Sequence, residues 1–184
     1  TAGSYFAEYG FTNFNQDMIT VQFSVPKASY DAYAAGFWYD KAALAGIETW
    51  HNNARQGAYQ FAVKSKKTQA QLDKATANLK DERDKKVSEY LAAQGFKILP
   101  GNVVEMDMPQ VVKRSAGHLK PLAVALDKIA EAKRYDSESL TGSVTAMVQT
   151  ALHYKIPPPI EGGKHTGGLL PPMTALVRGW GDCD

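Results

Sequence analysis

Disulfides, long apolar runs and an excess of one charge are all missing from this sequence of 184 residues. Its single cysteine, Cys183, excludes an intrachain disulfide. The best apolar run, residues 121–126, is far shorter than the roughly 20 residues that span a bilayer, so no transmembrane segment is expected. Lys and Arg number 21 against 19 Asp and Glu. The one basic segment, 63–97, interleaves positive and negative side chains. Nucleic-acid binding favours a continuous stripe of positive charge, so this pattern argues against it.

The N-terminal residues combine aromatic side chains with one alternating segment. Residues 18–25 alternate apolar and polar side chains, which predicts a strand that ends at Pro26. Residues 1–17 are interpreted as an ordered arm without regular structure, which docks through its aromatic side chains on a partner or on the helix face of residues 33–61. The aromatic residues of this region are Tyr5, Phe6, Tyr9, Phe11, Phe14 and Phe23.

Two long helices are predicted next. From Asp31 to Phe61, apolar residues recur at spacings of three and four, which indicates one amphipathic helix with a broad, buried stripe. Residues 64–94 carry only a thin apolar stripe among many charges, and Gly95 is well placed to end that helix. The thin stripe fits either a coiled-coil arm for a partner or a long solvated helix, and the second interpretation is favoured.

The second half of the chain alternates strand, helix and loop signals. Residues 96–99 and 103–108 predict two strands around the turn 100–102. A helix is expected around residues 119–129, and a further one over 140–152 that Asp136 or Ser137 caps. The Pro- and Gly-rich segment that follows His153 and Tyr154 predicts a loop of about 20 residues, a length typical of functional or disordered loops.

The chemistry-bearing segment is the last one, in which two glycines bracket Trp180 and Asp182 leads into Cys183. A thiolate at the start of a helix is stabilised by the helix dipole and by free backbone N–H groups. The same groups can stabilise an oxyanion when the sulfur attacks a carbonyl. The aspartates that flank Cys183 would raise its thiol pKa unless a cation or a histidine offsets them.

This segment resembles the nucleophile motif of bacterial transglutaminase-like cysteine peptidases. The resemblance covers about residues 138–184 and rests on four features in order. These are the helix with Val148-Gln149, the sequence Leu152-His153-Tyr154, the Pro/Gly-rich loop, and Pro172–Leu176 leading to Trp180-Gly181-Asp182-Cys183-Asp184.

The resemblance implies a papain-like core in which Cys183 is the catalytic nucleophile at the start of a central helix packed on an antiparallel sheet. It also implies a histidine and an aspartate from later strands, which would follow Asp184. The chain is therefore expected to be a fragment or processed form that is inactive on its own. The residues expected to form or support the cleft are Trp180, Gly181, Asp182, Asp184, Gln149 and Tyr154.

These features together predict an α+β fold, with a helix-rich region over residues 1–97 and a partial transglutaminase-like domain over 98–184. The expected activity is peptide hydrolysis or acyl transfer on a protein or peptide substrate, in the bacterial periplasm or outside the cell. No cofactor and no metal are expected, since His153, His165, Asp182 and Cys183 lack a metal-ligand spacing. The alternative is a non-catalytic envelope subunit that self-associates into an oligomer or filament through the aromatic arm and the long helices.

Overall fold

A computed structural model describes residues 3–182 of the chain. These residues form two compact units. Unit 1 comprises 3–37, 108–159 and 166–182, and unit 2 comprises 38–107 and 160–165. The division follows contacts rather than sequence order, so the domain boundary expected near residue 97 stays a prediction. Helices and small sheets alternate in both units, which confirms the α+β class.

The core of unit 1 is an antiparallel hairpin of β1 (Ser4–Thr12) and β2 (Met18–Pro26). Burial in β2 alternates strictly, because successive side chains of a strand point to opposite faces. This confirms the strand predicted over residues 18–25. Its buried side chains are Ile19, Val21, Phe23 and Val25.

The interpretation of residues 1–17 as an irregular arm is wrong, since most of them lie in β1. Tyr9 and Phe11 are buried in the core, and the ring of Tyr5 lies edge-on to that of Tyr30 at 4.9 Å. The alternation is real but hard to see in the sequence, because Phe6 occupies a solvent-facing position and is 68% exposed. These aromatics therefore pack largely within their own unit.

Five helices surround the hairpin in unit 1. They are α1 (Lys27–Ala35), α4 (Met108–Ser115), α5 (Lys120–Lys133), α6 (Ser137–Thr150) and α7 (Pro172–Arg178). Helix α5 packs on β2 and α6 packs on β1. The predicted cap of α6 is confirmed, because the carboxylate of Asp136 accepts the backbone N–H of Ser139 at 2.8 Å. Two short strands, β5 (His153–Tyr154) and β8 (Trp180–Gly181), complete the unit.

Unit 2 is built on two long helices, α2 (Lys41–Lys64) and α3 (Gln69–Ala93). The other elements are β3 (Phe96–Leu99), β4 (Val103–Met106), β6 (Ile160–Glu161) and β7 (Lys164–His165), which pair as two antiparallel hairpins. The prediction that Gly95 follows the second long helix is confirmed, and its φ of +83° suits glycine. The two strands around the turn 100–102 are confirmed as well, but the second ends at Met106 rather than at residue 108, because Met108 begins α4.

The single helix predicted from Asp31 to Phe61 is wrong, because the chain breaks between α1 and α2. Trp38 adopts a left-handed φ of 68°, and the carboxylate of Asp40 then caps α2 by accepting the N–H of Ala42 at 2.7 Å. The apolar periodicity continues across the break, so periodicity alone could not show it. Phe61, expected on a buried stripe, is 62% exposed.

Over residues 3–182, no helix combines the length and the apolar character needed to cross a membrane.

Candidate functional site

The backbone that leads to Cys183 is fixed by a parallel pairing of β5 with β8. The N–H of His153 donates to the Gly179 carbonyl at 3.0 Å, and the N–H of Lys155 donates to the Gly181 carbonyl at 2.8 Å. Cys183 and Asp184 themselves lie outside the described residues. The structure therefore defines the approach to the nucleophile motif as far as Asp182.

Glycine is needed where α7 turns into β8. Gly179 adopts a φ of +73°, a left-handed conformation that a side chain disfavours. This turn ends the helix and allows the next residue, Trp180, to pair with His153 in β5. The backbone conformation at this turn therefore explains why Gly179, the first glycine of the predicted motif, is a glycine.

Two cationic side chains lie over the indole ring of Trp180. The Lys155 Nζ is 4.6 Å from the ring centroid, and the Arg178 Cζ is 5.6 Å from it. The ring face attracts cations, so Trp180 holds both positive charges next to the strand that precedes Cys183. Positive charges are what the sequence analysis expected to offset the aspartates on either side of Cys183.

The Pro- and Gly-rich segment is ordered by one buried threonine. Thr166 is completely buried and donates its hydroxyl proton to the Pro158 carbonyl at 2.7 Å. Its backbone N–H donates to the Pro159 carbonyl at 3.1 Å, and its Oγ1 accepts the N–H of Gly168 at 3.0 Å. The hydrogen bonds of Thr166 therefore hold this loop in place, and the short strands β6 and β7 interrupt it, so it is not one long irregular segment.

The structure brings only part of the predicted cleft together. Trp180, Gly181 and Asp182 are half-buried and continuous with β8. Tyr154 pairs with Gly181 through the strand register, but its side chain is exposed. Gln149 lies on α6 with an exposed side chain, as a helix-surface glutamine would.

The four histidines occupy unrelated positions. His153 is exposed in β5, and His118 is exposed in unit 1 with its ring 4.7 Å from that of Tyr33. In unit 2, His51 is buried in α2, and His165 stacks on Tyr39 with ring centroids 5.0 Å apart. His165 also exchanges two backbone hydrogen bonds with Tyr39. It is therefore a hydrogen-bonded strand residue rather than part of a free loop.

Sequence reasoning missed Lys155, Arg178 and Thr166 as parts of this region. A cation two residues before or after a tryptophan is too common a pattern to mark a site. Lys155 reaches Trp180 only because β5 pairs with β8, and strands of two residues carry no sequence signal of their own.

Comparison with protein-family models, curated proteins and solved structures finds no match to this chain. Within residues 3–182, no three or more His, Cys, Asp or Glu side chains come together as a group that could hold a metal ion.

Proposed function

We propose that this chain carries the nucleophile of a thiol-dependent acyl-transfer enzyme with a transglutaminase-like, papain-type core, and that Cys183 is that nucleophile. The observation that supports this proposal is the pair of cations, Lys155 and Arg178, held over Trp180 three residues before the thiol. Nearby positive charge favours the thiolate, which is the reactive form of cysteine.

The fixed approach to the thiol gives a second line of support. Gly179 ends α7, and two backbone hydrogen bonds hold β8 against β5 as far as Gly181. A nucleophile must be held in position for attack, and a short paired strand restrains the chain directly before it. Asp182 is the one residue between that strand and Cys183.

The proposed chemistry is acyl transfer through a thioester. The Cys183 thiolate attacks the carbonyl carbon of a peptide or side-chain amide, and the C–N bond breaks as the amine leaves with a proton. Water or a second amine then attacks the thioester and releases the thiol. Water gives hydrolysis and an amine gives cross-linking, in line with a protein or peptide substrate.

The reactivity of Cys183 tests the proposal without requiring turnover. We expect the iodoacetamide alkylation rate of the folded chain to reach its half-maximum below pH 8.5, the ordinary thiol pKa. Removing both cations, with Lys155→Met and Arg178→Met, should move that midpoint to higher pH. The rates are followed by mass spectrometry of the intact protein.

A matched control uses a cation of the same unit that is not near Trp180. Lys120→Met removes one charge at the start of α5 and should leave the alkylation midpoint unchanged. The proposal fails if the unmodified chain alkylates with a midpoint at or above pH 8.5. It also fails if Lys120→Met shifts the midpoint as far as the double variant does, because the effect would then come from net charge.

A non-catalytic role in self-association is the second candidate, and exposed apolar side chains favour it. Phe61 and Val63 protrude near the end of α2 in unit 2, and Phe6 protrudes from β1 in unit 1. Contiguous exposed apolar patches mark contact surfaces between proteins, and this candidate requires these side chains to form such patches.

Light scattering during size-exclusion chromatography tests self-association. The unmodified chain should be larger than a monomer at tens of micromolar, and Phe6→Ser or the pair Phe61→Ser and Val63→Ser should restore the monomer. A chain that is monomeric before any substitution contradicts this candidate.

A further inference from the structure

A mainly polar groove runs along the seam between α2 and α3 in unit 2. It consists of two adjoining hollows, of about 510 and 420 Å³, that share Arg55, Asp73 and Thr76. We call it the α2–α3 groove. Two packed helices normally bury an apolar stripe along their seam. Here α2 contributes Asn52, Arg55, Gln56 and Tyr59, at helical spacings of three and four, and α3 contributes Gln69, Asp73, Thr76 and Lys80.

The α2–α3 groove carries excess positive charge. No acidic residue occurs between Glu48 and Asp73 in the sequence. Asp73 lines both hollows, and its carboxylate keeps its charge while it accepts a hydrogen bond from Gln69 at 2.7 Å. The two cations Arg55 and Lys80 still outnumber this one carboxylate. Arg83 is balanced by ion pairs to neighbouring carboxylates. Arg55 and Lys80 take part in none of the ion pairs found over residues 3–182. Their charges are therefore available to an anion.

A buried histidine without a hydrogen-bond partner lines the same groove. His51 is only 7% exposed, and its Nε2 has no partner in the described part of the chain. Its Nδ1 lies 4.0 Å from a Glu48 oxygen, which is too far for a hydrogen bond. A buried polar atom left without a partner is energetically unfavourable. The Nε2 atom is closed to solvent, so His51 lines the smaller hollow with other atoms of its side chain rather than with Nε2.

An exposed aromatic ring stands one helical turn from the cationic end. Tyr59 lines the larger hollow and is 59% exposed. It is four residues after Arg55, so both side chains lie on one face of α2. The amides of Asn52 and Gln56 lie on the same face and can both donate and accept hydrogen bonds.

We propose that the α2–α3 groove binds a small phosphorylated ligand with a planar ring, which is the chemistry of a mononucleotide. Arg55 and Lys80 would hold the phosphate, since guanidinium and ammonium groups form strong charge-assisted hydrogen bonds with it. Tyr59 would stack on the ring, and the amides would bind its polar edge. The site lies in unit 2 and does not depend on the chemistry proposed for Cys183.

Calorimetric titration with four probes tests the site on the full chain. The probes are adenosine 5′-monophosphate, ribose 5-phosphate, adenosine and inorganic phosphate. We expect the nucleotide to bind at least tenfold more tightly than each of the other three, because it alone combines a phosphate with a planar ring. Equal affinity for the nucleotide and inorganic phosphate, or no heat with the nucleotide up to 10 mM, overturns the proposal.

Charge variants locate the binding. Arg55→Gln and Lys80→Gln should each weaken nucleotide binding about tenfold, because each removes one charged contact to the phosphate. Lys74→Gln is the matched control, since Lys74 is an exposed cation of α3 outside the groove. Circular dichroism checks that each variant stays helical. An equal loss of affinity in Lys74→Gln would show non-specific attraction and overturn the proposal.

Discussion

At the scale of single residues, the buried hydroxyl of Tyr33 joins three helices of unit 1. It shares a hydrogen bond of 2.8 Å with the hydroxyl of Ser115 in α4 and accepts the backbone N–H of Met173 in α7 at 3.4 Å. Tyr33→Phe should lower the free energy of unfolding by about 1–3 kcal/mol, because buried partners lose their hydrogen bonds. Urea unfolding measures the loss.

A double variant separates the hydrogen bond from ring packing. Adding Ser115→Ala to Tyr33→Phe removes the unpaired serine hydroxyl and should restore part of the lost stability. A double variant that loses the sum of both single effects would show that the hydroxyl pair contributes nothing of its own.

The same tyrosine predicts how stability changes in alkali. Burial raises the pKa of Tyr33 and that of Tyr9 above the ordinary value of 10.0. Above pH 10 the unfolded chain therefore loses these protons first, while the folded chain retains them, and stability falls as pH rises. Urea unfolding at pH 9 to 11 should show this fall. Its slope should be smaller in Tyr33→Phe, and an equal slope would contradict the assignment to Tyr33.

At the scale of elements, two glycines predict opposite effects of the same substitution. Gly57 lies within α2 and has nothing within 4 Å of an added Cβ, so Gly57→Ala should stabilise by about 0.5–1 kcal/mol. Gly179 has a φ of +73°, so Gly179→Ala should destabilise by about 1–2 kcal/mol. Thermal unfolding of both variants measures the signs. A loss of stability in Gly57→Ala would mean that α2 cannot accept a methyl group at this position.

Sequence reasoning succeeded for elements whose signals are local. The alternation of β2, the Asp136 cap of α6 and the Gly95 end of α3 are all carried by adjacent residues. The break between α1 and α2 was missed because the apolar periodicity continues across it, although Gly36 and the capping residue Asp40 lie at the break itself. A contact that the sequence does not show also lies there. The Arg114 guanidinium of α4 lies 4.4 Å from the ring centroid of Phe37 and donates a hydrogen bond to the Gly36 carbonyl.

The two candidate sites also differ in whether their residues are adjacent in the sequence. The segment from Gly179 to Asp182 could be singled out in the sequence because its residue types are unusual and adjacent. The α2–α3 groove could not, since its residues come from two helices whose antiparallel alignment only the structure supplies. In the sequence, Arg55 belongs to the amphipathic helix predicted over Asp31–Phe61, and Lys80 belongs to the solvated helix predicted over residues 64–94.

At the scale of the whole molecule, burial is unevenly distributed between the elements. Over α2 and α3 together, the buried residues are His51, Ala62 and Leu91, whereas β2 alone buries four side chains. Regions with few buried apolar contacts open more readily. Hydrogen exchange followed by mass spectrometry should therefore show faster amide exchange in α2 and α3 than in β1 and β2. Equal protection would contradict this expectation.

The base of unit 2 has a consequence for the order of folding. Asp40 donates its N–H to the Tyr90 hydroxyl at 2.9 Å, and Asp107 donates its N–H to the Gly95 carbonyl at 2.9 Å. Each contact ties one end of the span Trp38–Asp107 to the last turns of α3 or to Gly95 just after it, so both ends are anchored in the same region of unit 2. This span separates α1 from α4 in the chain. The entropic cost of closing a loop, as a free energy, rises by about 0.6 kcal/mol for each doubling of loop length. When unit 2 forms first, it therefore shortens the effective length of chain between the parts of unit 1 that precede and follow it, and these parts come together faster.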